Sequence, residues 1–258
     1  MLSLTKGNKI ATIYQKNGNK KPIVKKEIKI VDDNFNESEN KNLDIKIENG
    51  NNNDYVFPSP RKLSERIYIS APSGSGKSYF TALYLAELRK QKGQRKREIY
   101  IFSRVDEDKP LDKYEPIRIP LDRETFDSDP LQPEDFRGGI VVFDDIDTLM
   151  DKALLKYLQD FRDDLLECGR HYDITTISTT HNITNFKETR KLLNEANAIV
   201  IFPRSGGTYQ LKGFLERYMG YSKEQIEIVR NLPSRWVYLW KEYPQYIVYE
   251  KGVKILSN

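Results

Sequence analysis

The sequence predicts an α/β fold in which a mostly parallel central sheet is flanked by helices. From Ser64 onward, short apolar runs alternate with stretches whose apolar residues recur near the 3.6-residue period of a helix. The runs are short and largely apolar, as expected of parallel strands that are covered on both faces. A Gly- and Ser-rich loop at 71–76 separates the first run from the first helical pattern.

Five apolar runs predict the strands of this sheet, at 67–71, 99–102, 140–143, 174–179 and 198–202. Residues 103–138 are predicted to be mainly loop, with one short strand at 117–119.

Helices are predicted at 77–90, at 151–168, which is amphipathic, and at 187–197. In the first of them, Phe80, Leu83, Tyr84 and Leu88 follow helical spacing. Two C-terminal helices are predicted near 211–219 and 223–232. A β-hairpin is predicted from 236–241 and 246–250, around Pro244.

Residues 1–62 differ in composition from the rest of the chain. They are rich in Asn and Lys and contain the low-complexity run Asn-Gly-Asn-Asn-Asn-Asp at 49–54. Short strands are predicted at 9–14, 22–31 and around 43–47. We expect 1–62 to be a partly ordered N-terminal extension with an Asn-rich linker, and 63–258 to be one domain.

Composition excludes several classes of protein. Cys168 is the one cysteine, so the chain has no internal disulfide, and with two histidines it offers no ligand set for structural zinc. Residues 1–9 have no apolar signal-peptide core, and no apolar run approaches the length of a membrane span, so we expect no membrane partner. The net charge of +4 permits contact with nucleic acid without demonstrating it.

The loop at 71–78, Ala-Pro-Ser-Gly-Ser-Gly-Lys-Ser, predicts a phosphate-binding P-loop. Its glycines let backbone N–H groups converge on phosphate oxygens, and the helix that follows adds its positive N-terminal end. Lys77 is placed to reach the β- and γ-phosphates of ATP, and the Ser78 hydroxyl to bind Mg²⁺. The predicted nucleotide-binding residues are Ser73, Gly74, Ser75, Gly76, Lys77, Ser78 and Tyr79.

One position departs from the full P-loop motif. Ala71 stands where the first glycine belongs. A methyl group is tolerated there if the residue keeps an ordinary negative φ.

The apolar strand at 140–143 ends in two acids, Asp144 and Asp145. In a P-loop fold such a strand lies near the first strand, so we expect Asp144 to bind the Mg²⁺ ion. Asp145 is expected to orient or activate the attacking water, with Asp147 as the alternative. A competing interpretation is that these three carboxylates cap the helix that begins near Asp151.

Polar residues also end the strand at 174–179. Thr180, His181 and Asn182 follow it, and side chains at the carboxyl end of a parallel strand face the ligand crevice. We expect Thr180, His181 or Asn182 to contact the γ-phosphate or the attacking water. The alternative is that Asn182 or Thr184 begins the next helix.

The order of these motifs resembles a known group of proteins. The P-loop, Asp144-Asp145, the segments 168–171 (Cys-Gly-Arg-His) and 178–182, and 202–206 (Phe-Pro-Arg-Ser-Gly) occur at similar intervals in genome-packaging ATPases of large cytoplasmic DNA viruses, the poxvirus type, and in related small viruses. These belong to the FtsK–HerA superfamily of RecA-like P-loop NTPases. The resemblance covers roughly residues 64–255, within a P-loop ATPase domain at 63–258.

The resemblance implies a homo-oligomeric ring that hydrolyses ATP and moves double-stranded DNA, independently of sequence, into a viral capsid at a portal-like vertex. It implies a location in the virus factory of the host cytoplasm and in the virion. It also implies an arginine supplied by the neighbouring subunit to the γ-phosphate. Arg170 best matches that position, with Arg204 and Arg162 as rivals.

The densest basic run, at 89–97, has two interpretations. In the first, the run contacts the phosphate backbone of DNA. In the second, it is a solvated helix end and turn, where cations interact favourably with the negative end of the helix dipole. We favour the second. A weaker candidate for DNA contact is the set Lys20, Lys21, Lys25 and Lys26.

Three other functions share many of these features. Another P-loop machine, such as a helicase, a replication factor or a morphogenesis ATPase, would use nearly all the same site residues. A small-molecule phosphotransferase would need an arginine-rich lid, for which 103–138 offers Arg104, Arg118, Arg123 and Arg137. A nucleotide-binding scaffold without turnover would account for Ala71 and for Asp145.

Overall fold

A computed structural model describes the chain as one extended sheet flanked by helices. It describes residues 2–3, 8–15, 23–30, 44–46, 58 and 64–255, the last without 92, 184–188, 206 and 243–244. None of the helices in these ranges is long and apolar enough to span a membrane.

Thirteen strands are found in the described part of the chain. They are β1 (Leu2–Ser3), β2 (Asn8–Gln15), β3 (Ile23–Ile30), β4 (Asp44–Lys46), β5 (Arg66–Ser70), β6 (Ile99–Ser103), β7 (Ile117–Arg118), β8 (Ile140–Asp144), β9 (Thr175–Thr180), β10 (Ala198–Ile201), β11 (Val237–Trp240), β12 (Tyr246–Tyr249) and β13 (Gly252–Ile255).

The helices in the same ranges are α1 (Lys77–Lys90), α2 (Lys109–Asp112), α3 (Arg123–Ser128), α4 (Lys152–Cys168), α5 (Arg190–Glu195), α6 (Thr208–Arg217) and α7 (Lys223–Arg230). Three short 3₁₀ segments lie at Pro133–Phe136, Ile146–Thr148 and Gly169–Tyr172.

The strand order is β1-β3-β2-β4-β13-β12-β11-β10-β5-β9-β8-β6-β7. From β10 to β7 neighbouring strands run parallel. The chain leaves β5, fills the sheet on one side of it with β6, β8 and β9, and then crosses to β10 on the other side. The carboxyl ends of β5, β8, β9 and β10 therefore meet at one edge, and β5 lies at the switch point where such sheets bind ligands.

Side-chain alternation distributes the core over both faces of the sheet. In β5, Ile67 and Ile69 pack in the cluster that includes α1, whereas Tyr68 packs with α5, α6 and α7. In β8, Val141 and Phe143 pack against α4. Both faces are thus covered, and each fully buried aliphatic or aromatic side chain contributes about 1.5–3 kcal/mol to stability.

The predicted α/β class and its five parallel strands are confirmed, with boundaries that differ by one or two residues. The segment 103–138 differs from the prediction because it contains α2, α3 and a 3₁₀ turn besides β7. These helices are four to six residues long, too short to show a period. Local caps define them instead: the Asp108 carboxylate accepts the Leu111 N–H at the start of α2.

The C-terminal hairpin is confirmed, but it is part of the main sheet. Strand β11 pairs antiparallel with β10, and a third strand that was not predicted, β13, follows β12. Strand β13 in turn pairs with β4, and the other two strands predicted in 1–62 correspond to β2 and β3. Helix α5 is shorter than the predicted 187–197; residues 187 and 188 lie outside the described residues.

Candidate nucleotide site at the carboxyl edge of the sheet

The loop between β5 and α1 has the backbone conformation that its glycines allow. Gly74 has φ +73° and Gly76 has φ +103°, both in the left-handed region that side chains disfavour. Gly76 precedes α1, and its carbonyl accepts the Phe80 N–H at 2.9 Å. A Cβ on either glycine would meet no atom closer than 3.7 Å, so the requirement for glycine is conformational rather than steric.

Ala71 is compatible with this loop. Among the described non-glycine residues, only Glu115, Asp145 and Asp173 have positive φ, so Ala71 keeps an ordinary φ. Its N–H donates to the Thr180 carbonyl at 3.2 Å, and its side chain is buried in the core. The expectation that a methyl group is tolerated here is confirmed, and the departure from the full motif requires no distortion.

Lys77 lies at the centre of the site and is only 6% exposed. Its ammonium is 3.1 Å from Asp145 Oδ2, and it donates to the Ala71 carbonyl at 3.1 Å. The third contact, at 3.4 Å, is with His181 Nδ1. The lysine therefore folds back over the loop, and its buried charge is neutralised by Asp145.

His181 connects the lysine and the aspartate. Its Nε2 is 3.2 Å from Asp145 Oδ2, while its Nδ1 faces the Lys77 ammonium. An ammonium can only donate, so Nδ1 is the acceptor and the ring proton sits on Nε2, directed at Asp145. The three side chains form a closed triangle in which Asp145 accepts from both partners.

Asp144 ends β8 and is buried. Ser103 Oγ donates to its Oδ2 at 3.1 Å, and Thr179 Oγ1 lies 2.9 Å from its Oδ1. Burial is the main cause that raises the pKa of the Asp144 carboxyl, and the neighbouring charge of Asp145 raises it further. The site thus holds more negative charge than Lys77 can neutralise.

Asp145 has φ +48°, a left-handed conformation that Asp tolerates better than most residues. It begins the 3₁₀ turn Ile146–Thr148, and its N–H donates to Thr179 Oγ1 at 2.9 Å. This turn directs the Asp145 carboxylate toward the P-loop. Such locally unfavourable backbone is common at functional sites, where the surrounding contacts hold it.

Asp147 is half-buried beside this site. Burial, followed by the charge of Asp145, raises the pKa of the Asp147 carboxyl. Its Oδ1 has no hydrogen-bond partner among the described residues. The interpretation that Asp144, Asp145 and Asp147 cap α4 does not hold, because the Asp151 carboxylate caps it by accepting the Ala153 and Leu154 N–H groups.

The polar residues at the end of β9 point to two different places. His181 faces the site, whereas Thr180 Oγ1 lies 2.8 Å from the Tyr68 hydroxyl and donates to the Asn182 carbonyl. Burial raises the pKa of Tyr68 to about 12. The Asn182 side chain is exposed. Thr180 and Tyr68 therefore fix the strand end, so Thr180 does not face Lys77 as predicted, whereas the contact predicted for Asn182 stays a prediction.

The three candidate arginines occupy different places. Arg162 is 5% exposed and pairs with Asp163 at 2.9 Å, so it cannot reach a neighbouring subunit. Arg204 is exposed and follows β10 at the P-loop edge. Arg170 is exposed in the turn before β9, at the opposite edge, and the six residues of β9 put it roughly 20 Å from its own P-loop.

Tyr79 follows the P-loop serine on α1 and is 54% exposed. The Arg235 guanidinium lies 5.4 Å from the centre of its ring, and Glu250 holds Arg235 by an ion pair at 2.7 Å. This stack leaves an aromatic surface next to the first turn of α1. Arg235 was not predicted as a residue of this site, because no motif lies near it in the sequence.

Ser103 and Thr179 were also missed as site residues. Ser103 lies one residue beyond the predicted strand 99–102, at the end of a strand next to β8, and that position was its signal. Thr179 gives no comparable signal, because threonine is common in strands and Thr175, Thr176 and Thr180 lie in the same run.

The basic run at 89–97 is largely occupied by structural contacts. Arg97 donates to the carbonyls of Gly138, Gly139 and Asp173, while Lys90 pairs with Glu87. Arg89 Nη2 donates to the Tyr114 carbonyl. Arg95 and Lys96 are exposed, whereas Lys92 lies outside the described residues, as do the side chains of Lys20, Lys21, Lys25 and Lys26. The interpretation as a helix end and turn is therefore favoured over a continuous DNA-binding strip.

The glycine loop on β5, the acids on the strand β8 and the order β10-β5-β9-β8-β6 define the fold of a P-loop NTPase. The chain belongs to the same family as the uncharacterized protein V3 of the Sputnik virophage, to which it is 40% identical over 202 residues, 78% of this chain and 80% of that protein. No protein-family model matches the chain.

Similar solved structures include the genome packaging NTPase B204 of Sulfolobus turreted icosahedral virus 2 in complex with AMPPCP. It is 16% identical with a TM-score of 0.48, over 76% of this chain and 98% of that one. The cytoplasmic domain of the type VII secretion ATPase EccC of Thermomonospora curvata is 12% identical with a TM-score of 0.45, over 76% and 25%. The fold assignment rests on the strand order and loop geometry rather than on these similarities.

Proposed function

We propose that this protein is a Mg²⁺-dependent ATPase whose hydrolysis drives double-stranded DNA into a viral capsid. The observation that carries the ATPase part is the convergence of Lys77, Asp144 and Asp145 at the P-loop edge of the sheet. A cation for the phosphates, a carboxylate for the metal and a carboxylate for the water are the groups that phosphoryl transfer to water needs.

Nucleotide binding begins with an exchange of partners at Lys77. The N–H groups of the loop and of the first turn of α1 bind the phosphates, and the Lys77 ammonium leaves Asp145 for the β- and γ-phosphates. Asp145 is thereby free to accept a hydrogen bond from the attacking water, with His181 still donating to its Oδ2. The water oxygen attacks the γ-phosphorus as the bond to the β-phosphate oxygen breaks, and Asp145 takes the water proton.

The residues present fit a divalent cation. Asp144 is a buried carboxyl whose pKa is raised, and a cation at that position would offset the excess negative charge that Asp144 and Asp145 create. Asp144 and the Ser78 hydroxyl would hold Mg²⁺. The ion supplies charge neutralisation at the phosphate oxygens.

The DNA-motor part of the proposal rests on the motif order in the sequence. The resemblance carried by that order implies double-stranded DNA, further copies of this chain in a ring and a capsid vertex as partners, and the virus factory and the virion as the place of action. A net charge of +4 is no obstacle, because a ring channel gathers the charges of all its subunits.

A small-molecule phosphotransferase is less well supported. The four arginines that a lid would need already have partners: Arg104 donates to Thr148, Arg118 pairs with Asp112, Arg123 with Asp127, and Arg137 stacks on Tyr172.

The test is ATP hydrolysis with and without Mg²⁺ and linear duplex DNA. We expect duplex DNA to raise the rate, with a stimulation that falls steeply as salt rises. Lys77→Ala should lower the rate by at least about 100-fold, because the phosphates lose their cation. Lys90→Ala is the matched control on the same helix, since Lys90 is half-exposed and pairs with Glu87.

Two results would separate the parts of the proposal. Hydrolysis that is insensitive to duplex DNA, together with no DNA retention at low salt, would contradict the motor. Absence of hydrolysis by the wild-type protein under every condition would contradict the ATPase, and phosphate transfer to a small acceptor would indicate the phosphotransferase.

A further inference from the structure

Thr179 contacts both acids of the site with one hydroxyl group. It lies on β9 and is 1% exposed. Its Oγ1 is 2.9 Å from Asp144 Oδ1 and 3.0 Å from Asp145 Oδ1. The same oxygen accepts the backbone N–H of Asp145 at 2.9 Å.

A hydroxyl carries one proton, so these contacts cannot all be made at the same time. The N–H of Asp145 occupies one lone pair of Oγ1, and the single O–H can be donated to Asp144 or to Asp145. Ser103 already donates to the other oxygen of Asp144. The Thr179 proton is therefore shared between two carboxylates that compete for it.

The two carboxylate oxygens of Asp145 contact different side chains. Oδ2 accepts from Lys77 and His181, whereas Thr179 is the contact at Oδ1. When Lys77 turns to a phosphate, Oδ2 keeps only His181. The Thr179 hydroxyl then becomes the contact that decides the orientation of the carboxylate.

We propose that Thr179 is a positioning residue that couples the metal-binding acid to the acid that activates water. In the nucleotide-free site its hydroxyl donates to Asp144. When Asp144 is engaged in metal binding, the hydroxyl donates to Asp145 Oδ1 instead and fixes that carboxylate toward the water. Its acceptance of the Asp145 N–H holds the left-handed backbone in both states. This inference rests on the proposed ATPase function.

The same strand provides a matched control. Thr176 lies on β9 with 0% exposure, and its hydroxyl has no hydrogen-bond partner among the described residues. Thr176→Val and Thr179→Val remove the same group from equally buried places. Only the second removes contacts to the acids, so the comparison separates positioning from packing.

The experiment compares Thr179→Val, Thr179→Ser and Thr176→Val with the wild type in ATP turnover. We expect Thr179→Val to lower kcat about 100-fold, as for a misplaced catalytic group, with the KM for ATP nearly unchanged. The half-saturating Mg²⁺ concentration should rise about 10-fold, as for loss of a group that orients a metal ligand. Thr179→Ser keeps the hydroxyl, so its kcat and its half-saturating Mg²⁺ concentration should both lie close to the wild-type values. Thr176→Val should match the wild type in both.

A second measurement does not depend on turnover. The backbone amide of Asp145 should exchange slowly with deuterium in the wild type and in Thr179→Ser and Thr176→Val. In Thr179→Val it should exchange at least about 10-fold faster, because the hydrogen bond that protects it is lost.

Wild-type kcat in Thr179→Val, or an equal loss in Thr176→Val, would overturn the coupling. If the wild-type protein hydrolyses no nucleotide, the proposed function falls. In that case two other measurements still test the role of Thr179: the affinity of the nucleotide-loaded protein for Mn²⁺, and the exchange rate of the Asp145 amide. If Thr179→Val changed neither the Mn²⁺ affinity nor the exchange rate, the proposed role of Thr179 would be refuted.

Discussion

Asp145 shows how one residue combines an unfavourable backbone with a precise contact. Its left-handed φ of +48° turns the chain immediately after β8, and its carboxylate then reaches Lys77 and His181. The turn brings the short aspartate side chain to the P-loop lysine, with 3.1 Å between Asp145 Oδ2 and the Lys77 ammonium.

Asp145→Asn should separate binding from chemistry. The amide cannot accept the proton of the attacking water, so kcat should fall by about 10²- to 10⁴-fold. Nucleotide affinity should stay the same or increase, because Lys77 no longer has to leave a carboxylate partner. Steady-state kinetics and equilibrium binding of a fluorescent ATP analogue would measure the two effects. A large loss of affinity would contradict the partner exchange at Lys77.

The helices and strands differ in how well sequence patterns predict them. Strands β5, β6, β8, β9 and β10 are apolar runs, α4 has a clear amphipathic period, and α1 begins at the P-loop motif. These elements were therefore predicted within one or two residues. The helices α2 and α3 have no period to detect. Strand β13 is recognisable only through its pairing with β12 and β4.

Arg97 illustrates the same point for charged residues. In the sequence it is the last of a run of cations, whereas in the fold it binds carbonyl groups at the starts of β8 and β9. Its Nη1 also donates to Thr175 Oγ1 at 3.0 Å. Partial burial lowers the pKa of the Arg97 guanidinium, which still carries its charge at neutral pH.

Arg97→Ala should therefore destabilise the fold. We expect the free energy of unfolding to fall by about 2–4 kcal/mol, since three carbonyls, two of them in part-buried contacts, lose a charged donor. Arg95→Ala and Lys96→Ala, at exposed positions of the same run, should change it by less than about 0.5 kcal/mol. Urea unfolding followed by circular dichroism would measure all three. Equal stability of Arg97→Ala and the wild type would show that the turn does not depend on this residue.

At the scale of the whole molecule, the two edges of the sheet carry different charged residues. The carboxyl edge gathers Lys77, Asp144, Asp145 and His181, whereas Arg170 lies at the opposite edge. Within one chain Arg170 is too far from the nucleotide to act on it. In the proposed ring, Arg170 would reach a γ-phosphate bound to another copy of this chain.

Mixing two inactive variants tests this arrangement. Arg170→Ala keeps an intact P-loop and Lys77→Ala keeps the arginine, so mixed assemblies should recover part of the ATPase activity. The expected recovery reaches up to about a quarter of the wild-type rate for random mixing, since only sites flanked by the right neighbours are complete. Arg162→Ala, in which a buried arginine is removed, is the control that should not be rescued in this way. No recovery in assemblies that form normally would contradict donation by Arg170, and rescue of Arg204→Ala alone would assign the role to Arg204.

The sequence by itself determined the fold class, the P-loop and the acids that follow β8, because these depend on local periodicity and on short motifs. Only the tertiary structure decided which polar groups meet. Lys77, Asp145 and His181 are separated by 68 and 36 positions in the chain, and their contact depends on the order in which β5, β8 and β9 pair. The same pairing buries Arg162, carries Arg170 to the far edge and places the Thr179 hydroxyl between two carboxylates.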